Sequence, residues 1–87
     1  MKMIIAIIKD SDADQVIQAL TAAEFRVTRV ASTGGFLRSG VVTLLVGVED
    51  ERVEAGIQVI RDQLGEPDPR ESRATLFVVP VQRFEQV

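Results

Sequence analysis

The chain has 87 residues, 46% hydrophobic and 26% charged, which is room for one domain, residues 1–87, with one core and is not the composition of a disordered tail. A net charge of −3 argues against a DNA- or RNA-binding surface, which carries a basic face. With no cysteine and no histidine, disulfides, thiolate catalysis and the usual zinc sites are excluded, and general-base chemistry is left to Asp, Glu or Lys.

A continuous apolar run bounded by Lys2 and Lys9 predicts a buried first strand over 2–9. It is too short to span a bilayer, which takes about 20 residues, and it lacks the form of a secretion signal. A cytoplasmic protein is expected. Asp10-Ser11-Asp12 stops the strand, with Ser11 as helix cap and Asp14 completing a capping-box-like pair. Val16, Ile17, Leu20 and Ala23 then recur at helical spacing, which predicts an amphipathic helix over 12–23.

The second strand is predicted from Phe25 to Thr33, with Phe25 and Val27 on one face and Arg26 and Thr28 on the other. Gly34-Gly35 breaks it, and the third strand is Val41 to Val48. Asp50 caps a predicted second helix over 51–64, whose shared face is Val53, Gly56, Ile57, Ile60 and Leu64. Gly56 costs that helix about 1 kcal/mol relative to Ala, and a close approach to the sheet is the expected compensation. Gly65 ends the helix, Pro67 and Pro69 prevent its restart, and a polar loop over 65–73 leads to a fourth strand, Ala74 to Val79. The order βαββαβ points to an α+β ferredoxin-like sandwich, a four-stranded antiparallel sheet with both helices on one face.

Helices cover one face of such a sheet, so the other should alternate toward polar residues. Here the first, third and fourth strands are apolar on both faces, a patch larger than monomers expose. A second copy of the chain is expected to cover it; a monomer that leaves the face bare, or whose own tail lies over it, is the rival reading.

The distinctive stretch is Thr33-Gly34-Gly35-Phe36-Leu37-Arg38-Ser39-Gly40. Paired glycines admit a ligand close to the backbone and present N–H groups to an anion. Phe36 offers a face for stacking a base, and Arg26, Thr28 and Arg38 offer a phosphate fork and a hydroxyl. A plain hairpin loop with Phe36 packed in a subunit contact explains the same residues. Neither a Walker A loop nor a dinucleotide fingerprint is present. Asp10, Asp12 and Asp14, like Glu49, Asp50, Glu51 and Glu54, sit at helix starts, where acids suit the dipole better than they suggest a metal. Arg61, Arg70 and Arg73 read as solvated surface. No catalytic constellation, metal site or cofactor is expected.

Met1-Lys2-Met3-Ile4-Ile5-Ala6-Ile7, Phe25-Arg26-Val27-Thr28, the glycine stretch from Thr33 to Gly40, and Phe77-Val78-Val79-Pro80-Val81 with Phe84 together resemble the PII-like cyclic-di-AMP receptor family. The resemblance runs nearly the whole chain in order. It implies a ferredoxin-like homotrimer with ligand pockets between subunits. By that resemblance Arg26 contacts phosphate, Thr28 and the Gly34-Gly35 backbone bond the ligand, Phe36 and Leu37 sandwich the base, and Gln86 approaches from the tail. Glu24 and Val41 depart from the family's Asn at both positions, and Leu64 to Arg73 is shorter than the family's glycine- and proline-containing loop. Three readings follow: a sensor of cyclic di-AMP that signals to an effector protein, the same scaffold holding ATP or ADP, or a ligand-free protein-interaction trimer.

Overall fold

The computed structural model describes residues 1–30, 40–65, 70 and 72–87. Among them, β1 (Lys2–Lys9), β2 (Arg26–Val30), β3 (Val41–Val48) and β4 (Ala74–Pro80) form one sheet, with α1 (Asp10–Ala22) and α2 (Val53–Gln63) as crossovers. The strand order is β2-β3-β1-β4, every neighbouring pair antiparallel. This α+β architecture is consistent with the ferredoxin-like sandwich that the sequence predicts. No helix among the described residues is long and apolar enough to cross a membrane.

The register explains the layers. Ile4 faces Val46, Ala6 faces Leu44 and Ile8 faces Val42, and all six are buried. Since strand side chains alternate, these residues form one face. Ala13, Val16 and Leu20 of α1 and Gly56 and Ile60 of α2 bury against it. Each large aliphatic side chain fully buried there contributes about 1.5–3 kcal/mol. Gly56 compensates its poor helix propensity as expected: a Cβ there would stand 3.1 Å from Ile4 Cδ1 and 3.5 Å from the Phe25 ring. The helix therefore lies so close to the sheet that a Cβ at this position would press on Ile4.

Several boundaries differ from the sequence reading. Helix α1 starts at Asp10, not at residue 12, and Ser11 lies within it rather than capping it. The cap is Lys9, without a side-chain bond, because the Asp10 N–H finds the Gly40 carbonyl at 2.8 Å. Nor does Asp14 close a capping box: Arg29 of β2 donates to Asp10 Oδ1 at 2.9 Å and Asp14 Oδ1 at 3.2 Å. Strand β2 begins after Phe25, which is buried just ahead of it, and ends at Val30; residues 31–33 lie outside the described region.

Asp50 does not cap α2. Its carboxylate is taken by the Met1 amino group at 2.9 Å and Lys2 at 3.9 Å, and a 3₁₀ turn, Asp50–Arg52, precedes the helix. Leu64 is already extended, so α2 ends at Gln63. Arg73 donates to the Gly65 carbonyl, and Arg61 bonds Gln58, so neither is merely solvated. Strand β4 runs one residue further than predicted, to Pro80, which an edge strand tolerates.

The face away from the helices is apolar, as expected. Met3, Ile5 and Ile7 lie on it opposite Gly47, Leu45 and Thr43 of β3, and on the other side opposite Val79, Phe77 and Thr75 of β4. The β1 and β3 residues of this face are half-buried, while Phe77 is 53% exposed.

Candidate functional site

Alternation on β2 sets the site. Val27 pairs with Val46 of the core, so Arg26 and Thr28 point to the open face, where they pair with Gly47 and Leu45. Gly47 leaves the floor beside Arg26 without a side chain; a Cβ there would stand 3.3 Å from Met1 Cε. Arg26 engages no side-chain hydrogen bond or ion pair among the described residues, so its guanidinium is free to meet an anion.

The corner before Arg26 is defined by backbone bonds. The Glu24 N–H donates to the Thr21 carbonyl at 2.9 Å, and the Phe25 N–H to the Leu20 carbonyl at 2.9 Å. With Ala23 as C-cap this is a Schellman closure of α1, and its left-handed position falls on Glu24, with φ 68°. Glycine is preferred there and Asn tolerated; a glutamate carries steric strain. The corner is braced from outside: Arg52 donates to the Ala23 carbonyl at 3.1 Å and stacks 4.1 Å over the Phe25 ring.

Beyond β4 the pairing with the start of β1 continues by one residue. The Val81 N–H donates to the Met1 carbonyl at 3.0 Å, and the following tail brings Phe84 and Gln86 to the same place. A cavity of about 610 Å³ opens there. Its walls are Glu24, Phe25, Arg26 and Thr28, Met1 and Met3, Leu45, Gly47, Val48 and Glu49 of β3 and its end, Arg52, and Val81, Phe84 and Gln86 of the tail. This volume lies in the range of small-molecule sites, about 300–1,000 Å³.

Of the residues that the sequence singled out, Arg26, Thr28 and Gln86 therefore meet at one cavity, although they lie far apart in the chain. Gly34, Gly35, Phe36, Leu37 and Arg38 lie outside the described residues. Their segment leaves β2 at Val30, about 13 Å along the strand from Arg26 at roughly 3.3 Å per residue. Sequence reasoning missed Arg52, Phe84 as a wall, and Glu49. No local pattern marks Arg52; the only available signal was its place one turn past β3. Val41 starts β3, at the end of the strand away from the cavity-lining Leu45 to Glu49. Among the described residues, no group of carboxylates is placed to hold a metal ion.

Comparison with known proteins adds two findings. The family model described as cyclic-di-AMP receptor matches residues 1–69, which include Arg26, Thr28 and the glycine stretch but not the tail. A crystal structure described as a functionally unknown protein from Pediococcus pentosaceus ATCC 25745 is similar at a TM-score of 0.77 and 33% sequence identity, over 99% of this chain and 96% of that one.

Proposed function

The chain belongs to the cyclic-di-AMP receptor family, and on that premise we propose that it is a PII-like signalling trimer, without turnover of its own, that holds a small adenine nucleotide, foremost cyclic di-AMP, at its subunit boundaries. The observation that carries this reading is the meeting of Arg26, Thr28 and Gln86 around one cavity. Arg26 takes a phosphate by charge-assisted bonds, Thr28 supplies a hydroxyl, and Gln86 closes the pocket from the tail.

Two further features support an intersubunit site. The open face, with Ile5, Ile7, Leu45 and Phe77, is an apolar surface that a second copy can cover. The cavity lies at the Arg26 end of β2, whereas the segment with Gly35, Phe36 and Leu37 departs from the Val30 end. A ligand that uses both sets is served by the Arg26 end of one subunit and the glycine segment of its neighbour. Binding there biases a surface read by an effector protein in the cytoplasm.

Glu24 favours a second reading, in which the pocket takes ATP or ADP. It lines the cavity, and its carboxylate accepts hydrogen bonds but donates none, so the amide-type contact to adenine is unavailable there. A thermal-shift series with cyclic di-AMP, ATP, ADP and AMP separates the readings. A ligand at 100 times its Kd adds about 2.7 kcal/mol per site. Cyclic di-AMP is expected to raise the midpoint most, and Arg26→Ala to abolish that rise while leaving the unliganded midpoint nearly unchanged. A rise with ATP or ADP instead selects the second reading, and no rise with any nucleotide refutes both in favour of a protein-interaction trimer. Light scattering is expected to give a trimer; a clean monomer removes the intersubunit site.

A further inference from the structure

Arg52 closes the 3₁₀ turn that follows β3, and three features of its guanidinium coincide. One nitrogen, Nη2, is committed to the Ala23 carbonyl at 3.1 Å. The group stacks 4.1 Å above the centroid of Phe25. Arg52 is also among the residues that line the cavity into which Arg26 faces from β2. A guanidinium carries five N–H donors in a planar fork and is always charged. Among the described residues, no other side-chain bond or ion pair engages the rest of that fork. Glu24 and Glu49 share the cavity, yet neither makes an ion pair with Arg26 or Arg52 among those residues. Two arginines from different elements thus reach one pocket with donors to spare.

We propose that Arg52 is the second cation of this pocket: one edge of its guanidinium holds the Ala23-Glu24-Phe25 corner from which Arg26 projects, and the other edge meets an anionic group of the ligand. The pocket is then built for a ligand with two phosphates, one for each guanidinium, over one with a single phosphate. This rests on the reading above that the pocket takes a nucleotide. Stacking on Phe25 fixes the plane of the fork and lowers the entropy lost when it binds. The brace and the ligand contact use different donors, so both operate at once.

The test compares the full chain with Arg52→Met and Arg52→Lys, titrating cyclic di-AMP and AMP at several salt concentrations. Met keeps an unbranched stem over Phe25 but carries neither charge nor donors; Lys keeps the charge without the fork. Arg52→Met is expected to weaken cyclic di-AMP binding about tenfold or more, to flatten its salt dependence, and to change AMP binding less than twofold. Arg52→Lys is expected to keep the salt dependence and to lose less affinity. Equal affinity and equal salt dependence in Arg52→Met and the parent overturn the proposal. So does an equal loss for both nucleotides, which is the mark of a brace alone. Should Arg52→Met fail to fold by circular dichroism, the Lys variant decides: a loss of cyclic di-AMP affinity with AMP binding unchanged supports the ligand contact, and no loss, or an equal loss for both nucleotides, refutes it. If the parent binds cyclic di-AMP and Arg26→Ala abolishes binding while Arg52→Met does not, only this inference falls. If the parent binds neither nucleotide, the nucleotide reading falls and takes this inference with it.

Discussion

Replacing Glu24 by glycine should make this protein more stable although it removes a side chain. Glu24 has φ 68°, in the left-handed region, at the residue that follows the C-cap of α1. A residue with a Cβ loses about 1–2 kcal/mol in that conformation. Glycine escapes the loss, but its freer unfolded chain returns about 0.4–1 kcal/mol of it. The Glu24 side chain makes no hydrogen bond or ion pair among the described residues, so little else changes. The net gain is about 0.5–1 kcal/mol, and one kcal/mol moves the midpoint of a domain this size by roughly 4–8 °C. Asn tolerates the conformation and should recover part of the gain. Ala keeps the strain while deleting the carboxylate and should leave the midpoint within about 2 °C of the parent. Melting curves of the three variants, followed by circular dichroism without ligand, make the comparison. A Gly variant no more stable than the Ala variant refutes the backbone argument. All three delete a carboxylate that lines the cavity, so all three should bind an anionic nucleotide more tightly whatever their stability.

Two other perturbations test the packing and the charges. Gly56→Ala gains about 1 kcal/mol of helix propensity, but its Cβ meets Ile4 Cδ1 at 3.1 Å, and Ile4 is wholly buried. Overpacking of about 1–3 kcal/mol should win, giving a net loss of about 1 kcal/mol in denaturant melts, whereas a stabilised variant would show that Ile4 swings aside freely. Asp50 is held below the ordinary carboxylate range chiefly by the hydrogen bond from the Met1 amino group, which outweighs the opposing effect of desolvation, with the Lys2 and Met1 charges adding to the lowering. A carboxyl depressed in the folded state stabilises above its unfolded pKa and loses that contribution as the pH falls through the folded value. The midpoint of Asp50→Asn should therefore lie below that of the parent at neutral pH, and the two should converge in acid below the ordinary carboxylate range. A gap that persists there assigns the effect to something other than ionisation.

Much of this molecule is written in local spacing. The apolar runs of β1 and β3, the helical faces of Val16 and Leu20 and of Gly56 and Ile60, and the side of β2 that carries Arg26 and Thr28 all follow from periods of 3.6 and 2.0 residues, which neighbouring side chains enforce without tertiary help. The apolar open face is legible for the same reason: a strand with no polar alternation must be covered on both sides. Helix starts are less legible. Ser11 and Asp50 look like caps, but a cap is one hydrogen bond among competitors. The Gly40 carbonyl, the Arg29 guanidinium and the Met1 amino group, all distant in sequence, take the partners first.

The cavity belongs wholly to the tertiary structure. Placing β1 between β3 and β4 puts Met1 beside Val81, which follows β4, and the tail beyond it brings Phe84 and Gln86 to the cavity that Arg26 lines. Arg52 reaches the same place because it closes the 3₁₀ turn that joins β3 to α2. Glu24 becomes strained only because α1 closes with a Schellman turn at that residue. By itself the sequence determined which side chains share a face, since that depends on residues a few positions apart. Only the fold decided which faces, corners and tails meet, because those contacts join elements dozens of residues apart.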